Sequence, residues 1–235
     1  MKIPISQRLL CCASLVEKGA KVADIGCDHG YLGIWLLEQG IAQSVAACDL
    51  RPLPLEKAKD NASLFGTADR MTFAVADGLT AVEPKSVDTI VCAGMGGDCI
   101  AHILECAPWV RDPSYTLILQ PQTSGNDLRR YLGENGFSIE REVLVQDSGF
   151  LYFTMVVRYG GGQPLTPGEQ YLSRPLLRCG SDLLPDYFDR ILNALKKTVA
   201  GMEKSKQPPE KLEYYRQALQ EVEEMRNEYE STKHS

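Results

Sequence analysis

The chain has 235 residues, a formal net charge of −6 and 44% apolar residues. That length allows one ordinary domain plus a smaller appendage, and that apolar share excludes wholesale disorder. An acidic chain lacks the general footprint of a nucleic-acid binder, so any such contact must rest on a local patch.

Residues 6–18 read as a first helix, with Leu9, Leu10, Cys12, Ala13 and Val16 on one face and Gly19 as its stop. Short apolar strands then alternate with helices. Strands are predicted at 21–25, 44–48, 71–75, 89–93 and 115–119. Helices are predicted at 31–39, 53–65, about 98–107 and 124–135. This alternation implies right-handed crossovers and a mainly parallel sheet. Residues 138–145 and 151–158 are strand-like again, and the short link between them fits a hairpin only. The predicted fold is α/β: a Rossmann-like, seven-stranded methyltransferase sheet, mostly parallel, closed by an antiparallel hairpin. A dinucleotide-binding dehydrogenase sheet fits less well.

Gly160-Gly161-Gly162, with Pro164 and Pro167, marks a linker. Beyond it Leu184, Tyr187, Ile191, Leu195, Val199 and Met202 form one helical stripe. Gln207-Pro208-Pro209 breaks it, and Leu212, Tyr215, Leu219, Val222, Met225 and Tyr229 form a second. Two such stripes predict a small, coiled-coil-like, all-α hairpin. The expected division is a domain over 1–159, a linker over 160–182 and the helical hairpin over 183–235.

The eight cysteines do not form a secreted disulfide framework. Cys27, Cys48 and Cys92 fall at or next to strand ends, and Cys99 and Cys106 lie in a helical stretch. Cys99, His102 and Cys106 have metal-like types, but no fourth ligand is evident, so no metal is expected. The apolar run after Arg8 is too short for a secretory signal, and no run reaches membrane-spanning length. A reduced cytoplasmic enzyme without membrane contact is the expectation.

The loops after the parallel strands carry the chemistry. The first is Asp24-Ile25-Gly26-Cys27-Asp28-His29-Gly30. Gly26 removes a side chain where a ligand approaches, and the next helix offers N–H groups at its start. The loop lacks the G-x-G-x-x-G spacing that serves a pyrophosphate, and an opening acid suits a ligand bearing an ammonium group. Asp49 ends the second strand, where a carboxylate accepts from ribose hydroxyls in nicotinamide and S-adenosylmethionine enzymes alike. Asp77-Gly78 follows the third strand and suits an adenine amino group. Asp24, Gly26, Cys27, Asp49, Asp77, Gly78, Gly94, Met95 and Gly96 are the expected cofactor-binding set. The plainer alternative is that the three acids cap helices. Gly94-Met95-Gly96-Gly97 leaves bare backbone beside the reacting centre, or serves a tight helix-to-sheet turn. The amide of Gln120, before Pro121, suits a base edge or a turn. Among residues 190–206, Arg190, Lys196, Lys197, Lys204 and Lys206 face only Glu203 in charge balance, so this helix is a candidate phosphate contact or a solvated face.

Together these residues resemble the bacterial tRNA (adenine-22-N1)-methyltransferase family. The resemblance runs through Ser6-Gln7-Arg8-Leu9, the Asp24–Leu32 loop, Pro54-Leu55-Glu56-Lys57-Ala58, Asp77-Gly78-Leu79, Gly94-Met95-Gly96-Gly97, Leu117–Pro121 and the helical hairpin. The Asp28-His29-Gly30-Tyr31 and Gly-Met-Gly-Gly segments are its most specific parts. Two positions depart: the family commonly has proline where Gly33 stands, and glycine-proline where Leu53-Pro54 stands. The resemblance implies S-adenosylmethionine as methyl donor, tRNA as partner and N1 of an adenine, position 22, as acceptor. Adenine N1 carries a lone pair and becomes cationic on methylation. Asp28 is the expected side chain to stabilise that charge, with His29 and Tyr31 orienting or stacking on the base. Gly97, Gln120, Pro121, Arg190, Lys196 and Lys197 are the expected substrate contacts. Two alternatives stay open: a same-fold enzyme acting on a small molecule or protein, and a non-catalytic RNA-binding protein. The oligomeric state also stays open, with a monomer preferred.

Overall fold

The computed structural model describes residues 2–204 and 210–233. The expected break at Gln207-Pro208-Pro209, and Lys206 of the basic stretch, lie outside the described residues.

Helix α1 (Gln7–Ala13) starts at Ser6, whose hydroxyl accepts from the Leu9 N–H. It ends five residues before residue 18, the expected last residue of the helix. Ser14 donates its hydroxyl to the Cys11 carbonyl, and the Leu15 and Val16 amides close tight turns onto Cys12 and Ala13. Leu15 and Val16 remain buried, so the apolar spacing continues without the helix. Then follow β1 (Ala20–Ile25), α2 (Tyr31–Glu38), β2 (Ala42–Asp49), α3 (Pro52–Leu64), β3 (Met71–Val75), β4 (Thr89–Gly96) and α4 (Gly97–Glu105). After these come β5 (Thr116–Thr123), α5 (Gly125–Glu134), β6 (Phe137–Asp147) and β7 (Phe150–Tyr159).

The seven strands form one sheet in the order β3-β2-β1-β4-β5-β7-β6. The first five are parallel, and β7 runs antiparallel to both β5 and β6. The β6–β7 turn is tighter than the sequence spacing suggested. Asp147 pairs with Phe150, and Ser148 (φ 51°) and Gly149 (φ 82°) make a two-residue turn of the kind that suits twisted strands. The order reverses between β1 and β4, and their carboxyl ends border the crevice where such sheets take ligands.

The segment at 160–182 contains two short helices, α6 (Pro167–Tyr171) and α7 (Arg174–Leu177). Thr166 and Glu169 cap α6 reciprocally. The helices α8 (Leu184–Glu203) and α9 (Leu212–Lys233) follow, with α9 also packed on α6. The apolar stripe of this pair does not close on itself alone. Leu184, Tyr187, Phe188 and Val222 belong to one continuous core with Leu117, Leu119, Phe153 and Met155 of the sheet. A second core fills the opposite face, beneath α1, α2 and α3.

Candidate active site

The β1–α2 loop is pinned at its root. The Gly26 and Cys27 amides both donate to the Cys48 carbonyl at the end of β2. The chain then passes through positive φ at Gly26 (71°), Asp28 (49°) and Gly30 (73°). Asp28 is the only one of the three with a side chain, a conformation that aspartate tolerates better than most residues. Gly26 also has a steric reason: a Cβ there would lie 2.8 Å from Cε of Met95. The carboxyl end of β4 therefore touches the loop after β1, and two of the predicted segments meet.

Asp24 sits beneath this loop, 3% exposed. It accepts from the Gly33 N–H, and its Oδ2 has no partner among the described residues. Burial, reinforced by the charge of Asp49, overrides that hydrogen bond and raises its pKa from 3.8 to about 7. Gly33 thus does two things. It supplies an N–H that proline could not, and it lets α2 approach β2, since a Cβ would lie 2.8 Å from Val45 Cγ1.

Asp49 is also buried, and it holds two loops together. Its Oδ2 accepts from the Asp28 N–H at 3.0 Å and its Oδ1 from the Arg51 N–H at 2.9 Å. The Ala76 amide donates to the Asp49 carbonyl, which brings exposed Asp77 alongside. Gly78 (φ 56°) packs against Ile103 of α4. Cys27 is buried, so only its backbone faces the crevice.

At the rim, Asp28 Oδ2 lies 2.9 Å from His29 Nδ1, and the His29 and Tyr31 rings are 6.0 Å apart. The three residues expected to carry the chemistry do cluster. Sequence reasoning missed their neighbour Arg51, whose guanidinium lies 3.6 Å from Asp28 and 3.5 Å from Asp49. Its position two residues after the acidic strand end was the available signal.

On the other side of the crevice, the expected role of Gln120 gives way. Gln120 is fully buried, and its Oε1 accepts from Arg8 Nη1 (2.7 Å) and the Gly94 N–H (3.2 Å). Its Nε2 donates to the Pro121 carbonyl. An amide so engaged ties α1 and β4 to β5, and its complete burial keeps it from the edge of a base. Arg8, to which the sequence assigned no site role, is the residue that reaches the crevice: a Cβ on Gly94 would lie 2.9 Å from its Nη1. Gly97 is likewise a packing residue, because a Cβ would lie 2.3 Å from the Ser124 carbonyl oxygen. Pro121 is buried opposite Met95.

The basic stretch divides. Lys196 Nζ lies 2.8 Å from Glu223 Oε1, so it faces α9 and not an open phosphate path. Lys197 is exposed beside it, while Arg190 turns toward β7 and donates to the Leu151 carbonyl. Lys196 and Glu223 are each about half exposed, and such pairs contribute up to about 1 kcal/mol. Lys196→Ala is expected to lower stability by less than about 1 kcal/mol in urea unfolding; a larger loss would mean that the pair to Glu223 does more than an exposed ion pair can. Cys106 Sγ lies 3.6 Å from His102 Nε2, and no group of three metal-ligating side chains occurs among the described residues.

Residues 5–155 match the family described as "Methyltransferase domain". The Bacillus subtilis tRNA (adenine(22)-N(1))-methyltransferase is 31% identical over 159 residues, 68% of this chain and 67% of its own length. The chain belongs to this methyltransferase family. A Streptococcus pneumoniae protein, described as a candidate tRNA (m1A22) methyltransferase and solved in complex with S-adenosyl-L-methionine, superposes with a TM-score of 0.79. It is 30% identical, and the match covers 94% of this chain and 99% of that one. The structure of the Bacillus subtilis m1A22 tRNA methyltransferase superposes with a TM-score of 0.84 at 25% identity, covering 95% and 99% of the two chains. Both structural matches extend through the C-terminal helices as well as the sheet.

Proposed function

We propose that this chain transfers a methyl group from S-adenosylmethionine to N1 of an adenine in tRNA, the nucleotide at position 22. The observation that carries this reading is likeness over 94% of the chain, C-terminal helices included, to a candidate m1A22 enzyme solved with that cofactor. The site fits the cofactor on its own geometry. Asp24 offers a buried carboxyl with one oxygen unpartnered, suited to an ammonium group. Gly26 and Gly94 keep the crevice open where side chains would strike Met95 and Arg8. Asp49 and Asp77 stand at adjacent strand ends for ribose and adenine. When bound, the cofactor supplies an electrophilic methyl group on a sulfonium.

The chain's own contribution is placement and charge. Adenine N1 attacks through its lone pair, so no base is needed to remove a proton first. The loops hold the reactants in line and exclude water. Asp28 places a carboxylate where the base becomes cationic, and the His29 and Tyr31 rings border the same space. Arg51 and His29 already draw on that carboxylate, which limits its electrostatic contribution. Asp28→Asn keeps the left-handed backbone and is expected to lower kcat about tenfold with cofactor affinity unchanged. Unaltered turnover in a radiolabel transfer assay would remove Asp28 from the chemistry. The reading as a whole is tested by incubating the protein with unmodified tRNA and mapping the methylated base by mass spectrometry. No methyl group, or one elsewhere than adenine N1, overturns it. The same reading places the enzyme in the cytoplasm, acting as a monomer; no helix among the described residues is long and apolar enough to cross a membrane.

A further inference from the structure

A cavity of about 300 Å³ opens between the carboxyl end of β5, the start of α5, β7 and α8. It adjoins the reaction centre, because Thr123 on its wall pairs with Gly96 at the end of β4. The chain carries 31 acidic residues and a net charge of −6, yet among the described residues no acidic one lines this cavity, and Arg129 and Arg190 do. The partner of Arg129, Glu142, is not part of the wall, so the cation alone borders the space. Arg129 is 1% exposed, and its Nη2 has no hydrogen-bond partner among the described residues.

The start of α5 faces the same space. Ser124 precedes the helix at φ 53°, a strained conformation for a residue with a side chain, and no side chain caps the helix. Its first N–H groups and the positive end of its dipole border the cavity through Gly125 and Asn126. Across from them, Arg190 is already oriented. Its Nη1 donates to the Leu151 carbonyl at 2.5 Å, and its guanidinium lies 4.7 Å from the Tyr187 ring centre. Its remaining N–H donors are uncommitted to that bond. Partly buried Tyr152 supplies an aromatic face on the same wall.

The geometry points to an RNA subsite here: a phosphodiester on the α5 start and Arg190, with the attached base against Tyr152. The size suits one nucleotide, at the lower end of small-ligand sites. The occupant is the nucleotide adjoining the target adenosine, since the cavity and the reaction centre share the β4–β5 edge. This inference rests on the tRNA reading above.

Asn126→Asp tests it without weakening the fold, because a carboxylate in the first turn of a helix is favourable there. An unmodified tRNA transcript is the probe. Expected are an unchanged or raised melting temperature, unchanged S-adenosylmethionine affinity, and tRNA binding weakened about tenfold. The slope of log affinity against log salt should fall by about one. Arg190→Gln should move affinity and slope in the same direction. Wild-type tRNA affinity and slope in both variants, with normal methylation by the parent chain, overturn the subsite alone. Cavity-dependent tRNA binding without methyl transfer by the parent chain overturns the activity and keeps the subsite. No tRNA binding by the parent chain overturns both.

Discussion

Replacing Asp24 by asparagine should make the free protein more stable at pH 8 and a much poorer binder of S-adenosylmethionine. The folded pKa of about 7 stands above the value of 3.8 expected for an open chain. Between those values the folded state holds a proton that the unfolded state has lost, so stability falls as pH rises through the window. The protonated carboxyl's contribution is fully present below pH 3.8 and gone above pH 7. At ~1.4 kcal/mol per pKa unit, the loss amounts to at most roughly 4 kcal/mol. Asparagine keeps an acceptor for the Gly33 N–H and carries no charge to bury. Its amide nitrogen takes the place of the unpartnered oxygen, so the gain stays below that ceiling. Urea unfolding of both proteins at pH 5 and pH 8 measures this directly: the variant's advantage should be larger at pH 8 than at pH 5, by up to about 3 kcal/mol for the two pH units between pH 5 and the folded pKa. An equal difference at both pH values would mean that Asp24 titrates as an ordinary carboxylate.

The same substitution reads the cofactor. An ammonium group beside Asp24 favours the carboxylate, so binding near pH 6.5 should release a proton and affinity should rise towards pH 8. Removing one partner of such a buried charge pair costs about 2–5 kcal/mol, at least roughly thirtyfold in Kd. Calorimetry in two buffers of different ionisation enthalpy should show proton release for the parent chain and none for Asp24→Asn. Normal cofactor affinity in the variant would dissociate Asp24 from the ammonium.

The fold was legible because its signals are local. Apolar runs ended by Asp24, Asp49 and Gly94, with helices between, specify a parallel sheet and its ligand-bearing edge. The Asp28, His29 and Tyr31 cluster lies within four residues of chain, and its spacing alone brings it to one rim. What escaped is what folding brings together from far apart. Arg8 and Gln120 are 112 positions apart, and only the crossing of α1 over the sheet edge reveals that they occupy each other. Lys196 was read as part of a one-sided basic helix because charge on a single helix says nothing of the acidic helix packed against it. The stretch at 160–182 read as linker because its glycines and prolines are strong breakers, while the cap of α6 and the buried Leu172 and Leu176 gain their meaning from tertiary contact.

That stretch is held by the joint on which the second large effect is expected. Arg129 is buried in α5, donates Nε to Glu142 Oε1 at 3.0 Å, and stacks 4.0 Å from the Phe153 ring centre. Its Nη1 donates to the Gln170 and Tyr171 carbonyls, both 3.1 Å away. Ser173 donates a short hydrogen bond to the other oxygen of Glu142. One ion pair thus binds the sheet, α5 and α6 together. Arg129→Met would leave Glu142 buried with Ser173 as its remaining donor, and should cost about 3–5 kcal/mol. Much of that cost comes from the stranded carboxylate. Arg129→Met combined with Glu142→Leu should therefore recover most of the stability, although the lost bonds to residues 170 and 171 leave the α6 segment more open to protease. Because residues of α8 and α9 share one core with the sheet, the parent chain should unfold in a single transition, seen alike by tryptophan fluorescence and far-ultraviolet circular dichroism. Two separated transitions would make the helical pair an independent unit. A double variant no more stable than Arg129→Met would show that Arg129 acts through its carbonyl bonds and not through its charge partner.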